Sequence, residues 1–298
     1  MIQAVEVSKN FDGFEALKSV SATISAGSVY GLVGSNGAGK STLLRLISGI
    51  YKCDHGSILV NGENVYENIA AKKKIAFLSD EPYFFDHHTI NDMAKFYSSV
   101  YPDFNSGKLE KLRRYFPLDL NKKIRSFSKG MKRQAAVMLS LCCMPEIILM
   151  DETFDGLDPI MRQNLKNIII EEMNDRNICT VISSHNLREL EDVCDYVGLL
   201  HKGGIMFERN LEELKSDIFK IQTVLKTKPE REFFVKAGAL HYEERASIVS
   251  VILKNNKDEI AKLLAPYEPL FLDIIPLTLE EVFIYEMEVV GYDVGQIL

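Results

Sequence analysis

A nine-residue segment, GSNGAGKST at residues 34–42, restricts what this chain can fold into more than any other stretch. Its two key glycines, Gly34 and Gly39, let backbone N–H groups curl around an anion because no Cβ lies in the way. Lys40 can reach the β- and γ-phosphates of a nucleotide, and Ser41 offers a hydroxyl to Mg²⁺. The segment therefore predicts a phosphate-binding loop.

Regular structure is predicted on both sides of this loop. Residues 28–33, SVYGLV, are typical of a buried strand, and residues 42–47 indicate a helix whose N-terminus directs its dipole at the phosphates. This order of strand, loop and helix supports nucleotide binding. The loop residues expected to contact the nucleotide are Ser35, Asn36, Gly37, Ala38, Gly39, Lys40, Ser41 and Thr42.

Length and composition indicate a globular protein of two domains. The chain has 298 residues and a formal net charge of -7, which argues against an obligatory nucleic-acid partner. No apolar run approaches the roughly 18 residues that span a bilayer, and the N-terminus lacks a signal-peptide layout. The five cysteines form no CxxC pair and suit buried thiols of a reducing cytosol. We therefore expect a cytoplasmic protein that depends on another chain for any work at a membrane.

Two adjacent carboxylates follow a second apolar segment. Residues 147–150, IILM, are followed by Asp151 and Glu152, a pattern that places an aspartate on Mg²⁺ beside a phosphate loop. Side chains alternate along a strand, so the two acids cannot have the same role. If Asp151 faces the metal, Glu152 is free to polarise an attacking water molecule.

Phe11 and His185 each allow two interpretations. Phe11 and Phe14 lie between strands predicted at residues 4–7 and 19–24, where an aromatic ring could stack on an adenine or simply close the sheet. His185 follows a strand predicted at residues 180–184, and a histidine there lies on the ligand side of a parallel sheet. It could equally cap the helix that is predicted to follow. The residue pattern leaves both questions open.

A carboxylate and a group of aromatic residues follow a third apolar run, IAFL at residues 75–78. This run suits a parallel strand buried on both faces. Asp80 lies just beyond it and could hold Mg²⁺ or one of its water molecules. Tyr83, Phe84 and Phe85 would form either a docking patch or part of the core of the following helical region.

Residues 127–131, FSKGM, stand at the start of a predicted helix in a mostly helical region. Ser128 and Gly130 would leave N–H groups free to receive an anion there. Basic side chains, among them Lys129, surround the segment. Read alone, the segment favours a solvated helix start over a binding site.

Beyond about residue 216 the sequence predicts a small separate α+β domain without a catalytic set of residues. Thr278 and Glu281 are spaced as a capping box. Its predicted strands and helices are residues 219–225, 248–253, 258–264 and 279–289. The role of this domain is either extra packing or regulation and dimerisation.

Taken in order along residues 2–215, these segments resemble the nucleotide-binding subunit of ATP-binding-cassette (ABC) transporters. The resemblance implies an α/β fold: a P-loop NTPase core with a parallel sheet, an antiparallel β subdomain and a helical signature subdomain. The ABC ATP-binding domain would comprise residues 1–215, with the helical subdomain at about residues 85–143. Residues 216–298 would form the C-terminal accessory α+β domain.

The resemblance also implies roles for individual residues. Those roles are adenine stacking by Phe11, the Walker A loop at residues 34–42, the signature motif with Ser128, Lys129 and Gly130, the Walker B aspartate Asp151, the catalytic base Glu152, the D-loop residue Asp158 and the switch histidine His185. Lys40 and Mg²⁺ would stabilise charge on the γ-phosphate while Glu152 activates water. The implied cofactors are therefore ATP and Mg²⁺.

Two departures from the family pattern bear on these roles. The signature usually reads LSGGQ and here reads FSKGM, with Lys129 at its third position. That form is similar to exporters of the bacitracin-resistance and lantibiotic-immunity kind, which implies retained activity. Asp80 aligns with the Q-loop glutamine, which coordinates Mg²⁺ and touches the permease, and Glu81 lies one register step away. A carboxylate can still ligate Mg²⁺, but it adds negative charge and loses the amide donor.

The implied partners are a separate transmembrane permease and a second ABC subunit, identical or different, with no nucleic acid. Two ATP molecules would lie between the two subunits, and the subunits would lie at the inner face of the cell membrane. The cargo would be an exported peptide, drug or other amphiphile. The alternatives are a soluble cassette ATPase associated with ribosomes or DNA, or a regulatory module that hydrolyses ATP weakly.

Overall fold

The computed structural model describes residues 1–213 and 218–289. The chain divides into two compact units, Met1–Glu208 and Arg209–Leu298. The predicted domain boundary, between residues 215 and 216, falls in a segment outside the described residues. Among the described helices, none is long and apolar enough to cross a bilayer.

The first unit combines two sheets with helices. Its strands are β1 (Ile2–Phe11), β2 (Phe14–Ile24), β3 (Val29–Val33), β4 (His55–Val60), β5 (Glu63–Asn64), β6 (Ile75–Leu78), β7 (Ile147–Asp151), β8 (Cys179–Ser184), β9 (Tyr196–His201) and β10 (Gly204–Asn210). Its helices are α1 (Lys40–Ile47), α2 (Ile69–Lys73), α3 (Ile90–Val100), α4 (Ser106–Leu112), α5 (Lys129–Cys142), α6 (Pro159–Arg176) and α7 (Leu187–Leu190). A short 3₁₀ helix, Ile124–Ser126, precedes α5.

A six-stranded sheet in the order β10-β9-β3-β8-β7-β6 forms the centre of this unit. Its strands from β9 to β6 run parallel to one another. Every residue of β3, β7 and β8 is buried, as expected for parallel strands that are covered on both faces. The carboxyl ends of parallel strands share one edge of the sheet. The phosphate loop and the segments that follow β6, β7 and β8 therefore meet there.

A four-stranded sheet in the order β2-β1-β4-β5 forms the predicted antiparallel subdomain. β1 and β2 make a hairpin in which Phe11 pairs with Phe14. The two residues of its turn, Asp12 and Gly13, both have positive φ, at 47° and 86°. An Asp-Gly turn of this kind matches the right-handed twist of the strands. The hairpin thereby presents two aromatic residues at its tip.

The helical region between β6 and β7 begins with a capping box. The Thr89 side chain accepts a hydrogen bond from Asp92 N at 3.1 Å, and the Asp92 carboxylate accepts one from Thr89 N at 3.1 Å. This exchange starts α3. Helix α5 packs against both α3 and β6, so the helical region contacts the central sheet directly.

The second unit is a four-stranded antiparallel sheet with helices, which confirms the predicted α+β class. Its strands are β11 (Ile218–Leu225), β12 (Ala239–Arg245), β13 (Ile248–Lys254) and β14 (Pro269–Pro276), in the order β12-β13-β11-β14. Its helices are α8 (Arg231–Lys236), α9 (Lys257–Leu264) and α10 (Leu279–Val289). The predicted capping box is present, because Thr278 N donates to Glu281 Oε2 at 3.0 Å and Glu281 N donates to Thr278 Oγ1 at 3.3 Å.

Candidate functional site

A cavity of about 510 Å³ lies where the phosphate loop, the hairpin tip and the ends of β6, β7 and β8 meet. The lining comprises Phe11, Phe14 and Ala16 from the hairpin, residues 36–42 and Arg45, and Asp80, Asp151, Glu152, Asp155 and His185. The sheet topology thus brings together most of the residues predicted to bind nucleotide. A triphosphate with its base and a metal ion would need this mixture of aromatic, cationic, hydroxyl and carboxylate groups.

The phosphate loop has the geometry that its glycines permit. Gly39 has φ 110°, and a Cβ there would lie 2.6 Å from Ala16 O. Gly34 is equally confined, because a Cβ would lie 2.3 Å from Leu200 O. Only glycine fits at these two positions. The loop can therefore follow the hairpin closely and still open its N–H groups towards an anion.

Lys40 is 5% exposed and lies inside the loop. Its Nζ donates to the carbonyl oxygens of Gly34 at 2.7 Å and Ser35 at 3.2 Å. The same ammonium group lies 3.1 Å from Glu152 Oε1. The backbone carbonyl of Ser35 thus holds the lysine in place, although Ser35 itself does not line the cavity.

Asp151 and Ser41 form a hydroxyl–carboxylate pair at the end of β7. Ser41 Oγ donates to Asp151 Oδ1 at 2.9 Å, and Ser183 Oγ donates to the same oxygen at 2.8 Å. Asp151 is 2% exposed. A buried carboxylate next to a hydroxyl is an oxygen donor set that suits a hard divalent cation such as Mg²⁺. The residues present therefore fit the metal that the sequence predicts.

Asp151 and Glu152 both line the cavity, but they have different hydrogen-bond partners. The φ of Glu152, 48°, turns the chain out of the strand, and its N–H donates to Ser183 Oγ at 3.1 Å. Glu152 Oε2 lies 2.9 Å from His185 Nδ1, and Asp155 Oδ2 lies 3.8 Å from the same nitrogen. Glu152 is therefore held between Lys40 and His185, in a position from which a carboxylate can accept a proton from water.

The side chain that caps α7 is that of Asn186, which accepts a hydrogen bond from Arg188 N at 3.1 Å. The alternative role for His185, a helix cap, is therefore filled by its neighbour. Buried Glu189 supports this strand end, because Ser184 Oγ donates to Glu189 Oε2 at 2.8 Å. Burial raises the pKa of the Glu189 carboxyl above its ordinary value.

The hairpin tip offers two aromatic rings to the cavity, those of Phe11 and Phe14, of which the family resemblance implies adenine stacking for Phe11. The Phe11 ring contacts Tyr51 edge to face with centroids 5.4 Å apart, and Lys9 Nζ lies 5.3 Å from its centroid. Phe14 is 64% exposed. The Asp-Gly turn places it opposite Phe11, since that turn pairs residues 11 and 14 across the hairpin. Arg45 was missed by the sequence predictions, although it lies one helical turn after Ser41.

Asp80 lines the cavity, but its carboxylate contacts helix α5. Arg133 Nη2 donates to Asp80 Oδ1, and Lys129 Nζ lies 3.7 Å from the same oxygen. The structure thus places this predicted metal ligand in an ion pair with basic residues that follow the signature serine.

The signature residues and Asp158 do not line the cavity of their own chain. Ser128 is the N-cap of α5 and accepts a hydrogen bond from Met131 N at 3.2 Å, with Lys129 and Gly130 in the first turn. Asp158 is the N-cap of α6 and accepts one from Met161 N at 2.9 Å. Within one chain, both Ser128 and Asp158 act as helix caps.

Comparison with known proteins identifies the family. The model of the family described as "ABC transporter" matches residues 17–155. The chain is 32% identical over 285 residues to the ABC transporter ATP-binding protein YtrB of Bacillus subtilis (strain 168), covering 95% of this chain and 97% of YtrB. It is 31% identical over 221 residues to the lantibiotic transport ATP-binding protein SrtF of Streptococcus pyogenes, covering 72% of this chain and 95% of SrtF.

A solved structure of the ATP-binding subunit of an ABC transporter matches the fold with a TM-score of 0.67 at 25% identity. This match covers 72% of the present chain and 92% of the other. The YtrB match, in contrast, leaves only a small part of this chain uncovered and so includes most of the second unit. The residues that line the cavity and these matches both indicate an ATP-binding protein of the ABC type. The chain therefore belongs to the ABC transporter family, in which it is an ATP-binding subunit with ATPase chemistry.

Proposed function

We propose that this chain is the ATPase of a bacterial exporter and drives efflux of a peptide, an antimicrobial or another amphiphile through a separate permease. The name of SrtF, a lantibiotic transport protein, supports a peptide antimicrobial as cargo. The catalytic part rests on one observation, the position of Glu152. Its two carboxylate oxygens lie 3.1 Å from Lys40 Nζ and 2.9 Å from His185 Nδ1.

Ser41 and Asp151 are the residues that would hold Mg²⁺, because they supply the oxygen donors at the end of β7. The chemistry that Mg²⁺ would supply when bound there is neutralisation of part of the charge on the phosphates. Lys40 would bind the β- and γ-phosphates, and the N–H groups of residues 36–39 would surround them. Phe11, whose ring is oriented by Tyr51, would stack on the adenine.

Glu152 would accept a proton from the water molecule that attacks the γ-phosphorus in line. His185 would orient Glu152 through the existing contact and would also reach the γ-phosphate. The developing charge on the γ-phosphate would lie beside Lys40, which is fixed inside the loop. Each of these roles belongs to a side chain that lines the cavity.

A second ABC subunit, identical or different, would complete the site. Ser128, Lys129 and Gly130 lie at the N-terminus of α5, which favours an anion, yet they do not line the cavity of their own chain. We propose that the signature residues of one subunit close on the ATP bound by the other. Asp158 would lie in the D-loop at the contact between them.

The permease would bind an exposed aromatic patch formed by Tyr83, Phe85 and Phe96. Tyr83 is 80% exposed, and its ring centroid lies 6.1 Å from that of Phe85, which lies 5.1 Å from that of Phe96. Exposed contiguous aromatic area of this kind is typical of protein interfaces. Through this contact the subunit would lie at the inner face of the cell membrane.

The Glu152→Gln protein tests the proposal as bait in cells of the source organism. Membranes are solubilised gently in the presence of ATP, and the proteins that co-purify are identified. Lys40→Ala serves as the matched control, because that variant should not retain ATP and so should not form the ATP-dependent assembly.

A polytopic membrane protein enriched with Glu152→Gln over Lys40→Ala would support the exporter. A different cassette protein alongside it would show a heterodimer, and its absence would show a homodimer. Ribosomal proteins or nucleic acid without a permease would contradict the proposal and favour a soluble cassette ATPase.

A further inference from the structure

Asp80, two residues beyond the end of β6, is bound by Arg133 of helix α5 through both its backbone and its side chain. Arg133 Nε and Nη2 each donate to Asp80 O at 3.2 Å, and Nη2 also donates to Asp80 Oδ1. Lys129 Nζ lies 3.7 Å from Oδ1. The carboxylate at residue 80 therefore faces two cations on the first turns of α5.

Burial in this pair is unequal. The side chain of Arg133 is 2% exposed, whereas that of Asp80 is 48% exposed. A buried guanidinium group needs an anion, because water does not solvate it there. The remaining nitrogen of Arg133, Nη1, lies against Gly156 and makes no hydrogen bond within the described part of the chain. Asp80 is thus the counter-charge that this buried cation requires.

We propose that Asp80 is the counter-ion that fixes helix α5 through Arg133, and that it is not a ligand of the metal. The proposal rests on the Mg²⁺ site formed by Ser41 and Asp151. If the Asp80 carboxylate entered that site, the buried guanidinium of Arg133 would keep its hydrogen bonds to Asp80 O but lose its ion pair with Asp80. Arg133 is thereby a positioning residue, because it joins the end of β6 to the helix whose first turn carries Lys129 and Gly130.

Nucleotide affinity with and without Mg²⁺ tests the metal half of the proposal. A fluorescent ATP analogue is titrated in Mg²⁺ and in EDTA against the wild-type protein, Asp80→Asn and Asp151→Asn. Removal of a ligand should reduce the gain in affinity from Mg²⁺ by at least about tenfold. We expect this loss in Asp151→Asn, whereas Asp80→Asn keeps the gain of the wild type.

Failure of the Asp80 inference and failure of the proposed Mg²⁺ site would give different results in this titration. Loss of the Mg²⁺ gain in Asp80→Asn to the same extent as in Asp151→Asn would make Asp80 a ligand and overturn this inference alone. A wild-type protein without any Mg²⁺ gain would reject the metal site itself and this inference with it. Glu81→Gln, which neutralises the neighbouring exposed carboxylate, is the matched control and should behave as wild type.

Thermal unfolding tests the ion pair. Asp80→Ala removes the carboxylate that pairs with the buried guanidinium and should lower Tm by about 4 °C or more. Arg133→Met leaves only a half-exposed carboxylate and should lower Tm less. The double variant should unfold at a higher temperature than Asp80→Ala alone, because the unpaired cation is gone. Additive shifts, or an Asp80→Ala shift no larger than that of Glu81→Ala, would overturn the proposal.

The positioning role is tested by ATP-dependent dimerisation in the Glu152→Gln background. Arg133→Gln should weaken the dimer at least about tenfold, while the ATP affinity of the monomer stays unchanged. Arg133→Lys should restore part of the loss, because an ammonium group still reaches the carboxylate. An unchanged dimer affinity in Arg133→Gln, or no recovery in Arg133→Lys, would overturn the positioning role.

Discussion

The ammonium group of Lys40 lies 3.1 Å from the carboxylate of Glu152, so the proposed phosphate ligand and the proposed base contact each other. A γ-phosphate that binds Lys40 would share this cation with Glu152. The two anions would repel one another at close range, and the repulsion would be strong because Lys40 is buried. Binding and catalysis therefore make opposite demands on the charge of Glu152.

Glu152→Gln should bind ATP at least as tightly as the wild type and lose at least about 100-fold in turnover. The amide removes the negative charge beside the γ-phosphate and cannot accept a proton from water. Fluorescence titration measures the first effect and phosphate release the second. Glu146→Gln, at the opposite end of β7 and exposed, is the matched control and should hydrolyse ATP normally. Unchanged hydrolysis in Glu152→Gln would contradict its assignment as the base.

Phe11→Ala should weaken ATP binding by about 1–3 kcal/mol, the range for one base stacked on one ring. The loss should be smaller for Phe14→Ala, because the Phe11 ring is oriented by Tyr51 whereas Phe14 is 64% exposed. Titrations with ATP and with inorganic tripolyphosphate separate the base from the phosphates. Affinity for tripolyphosphate should not change in either variant. A larger loss in Phe14→Ala would assign adenine stacking to Phe14.

Stability should depend on pH through Glu189, whose pKa is raised by burial. The folded protein then binds more protons than the unfolded chain at pH values between the ordinary pKa of 4.5 and the raised pKa. The free energy of unfolding therefore falls as pH rises through this interval. As pH rises through this interval, the urea midpoint of the wild type should fall relative to that of Glu189→Gln. A difference between the two midpoints that stays constant with pH, or that grows in favour of the wild type as pH rises, would contradict this.

The buried thiols should resist alkylation in the folded protein. Burial raises the pKa of Cys142 and Cys143 to about 12 and that of Cys179 to about 11. At pH 8 even Cys179 would be thiolate in only about one molecule in 1,000, and the thiolate is the reactive form. Iodoacetamide should therefore modify half-buried Cys53 first, as mass spectrometry can show. Labelling of Cys142 at the rate seen in urea would contradict this.

Local patterns in the sequence predicted much of the fold. The phosphate loop is a short run whose glycines alone meet the backbone angles, and the capping box at Thr278 and Glu281 spans four residues. The buried strand that ends at Asp151 was predicted from a continuous apolar run. In each case the physical cause acts within a few residues, so the sequence displays it directly.

Contacts between distant residues needed the tertiary structure. Asp80 and Arg133 are 53 positions apart, and neither residue type indicates its partner. Their contact depends on which face α5 turns towards the end of β6. The sequence predicted a carboxylate near the metal, and the structure shows the cation that this carboxylate faces.

The sequence by itself determined which groups are available: a loop for phosphates, two acids after a buried strand and a histidine after another. The order of the strands decided that these groups meet, because parallel strands place their carboxyl ends at one edge. Only that arrangement puts Glu152 between Lys40 and His185. Backbone periodicity is encoded locally, whereas the distance between two side chains depends on the packing of every element between them.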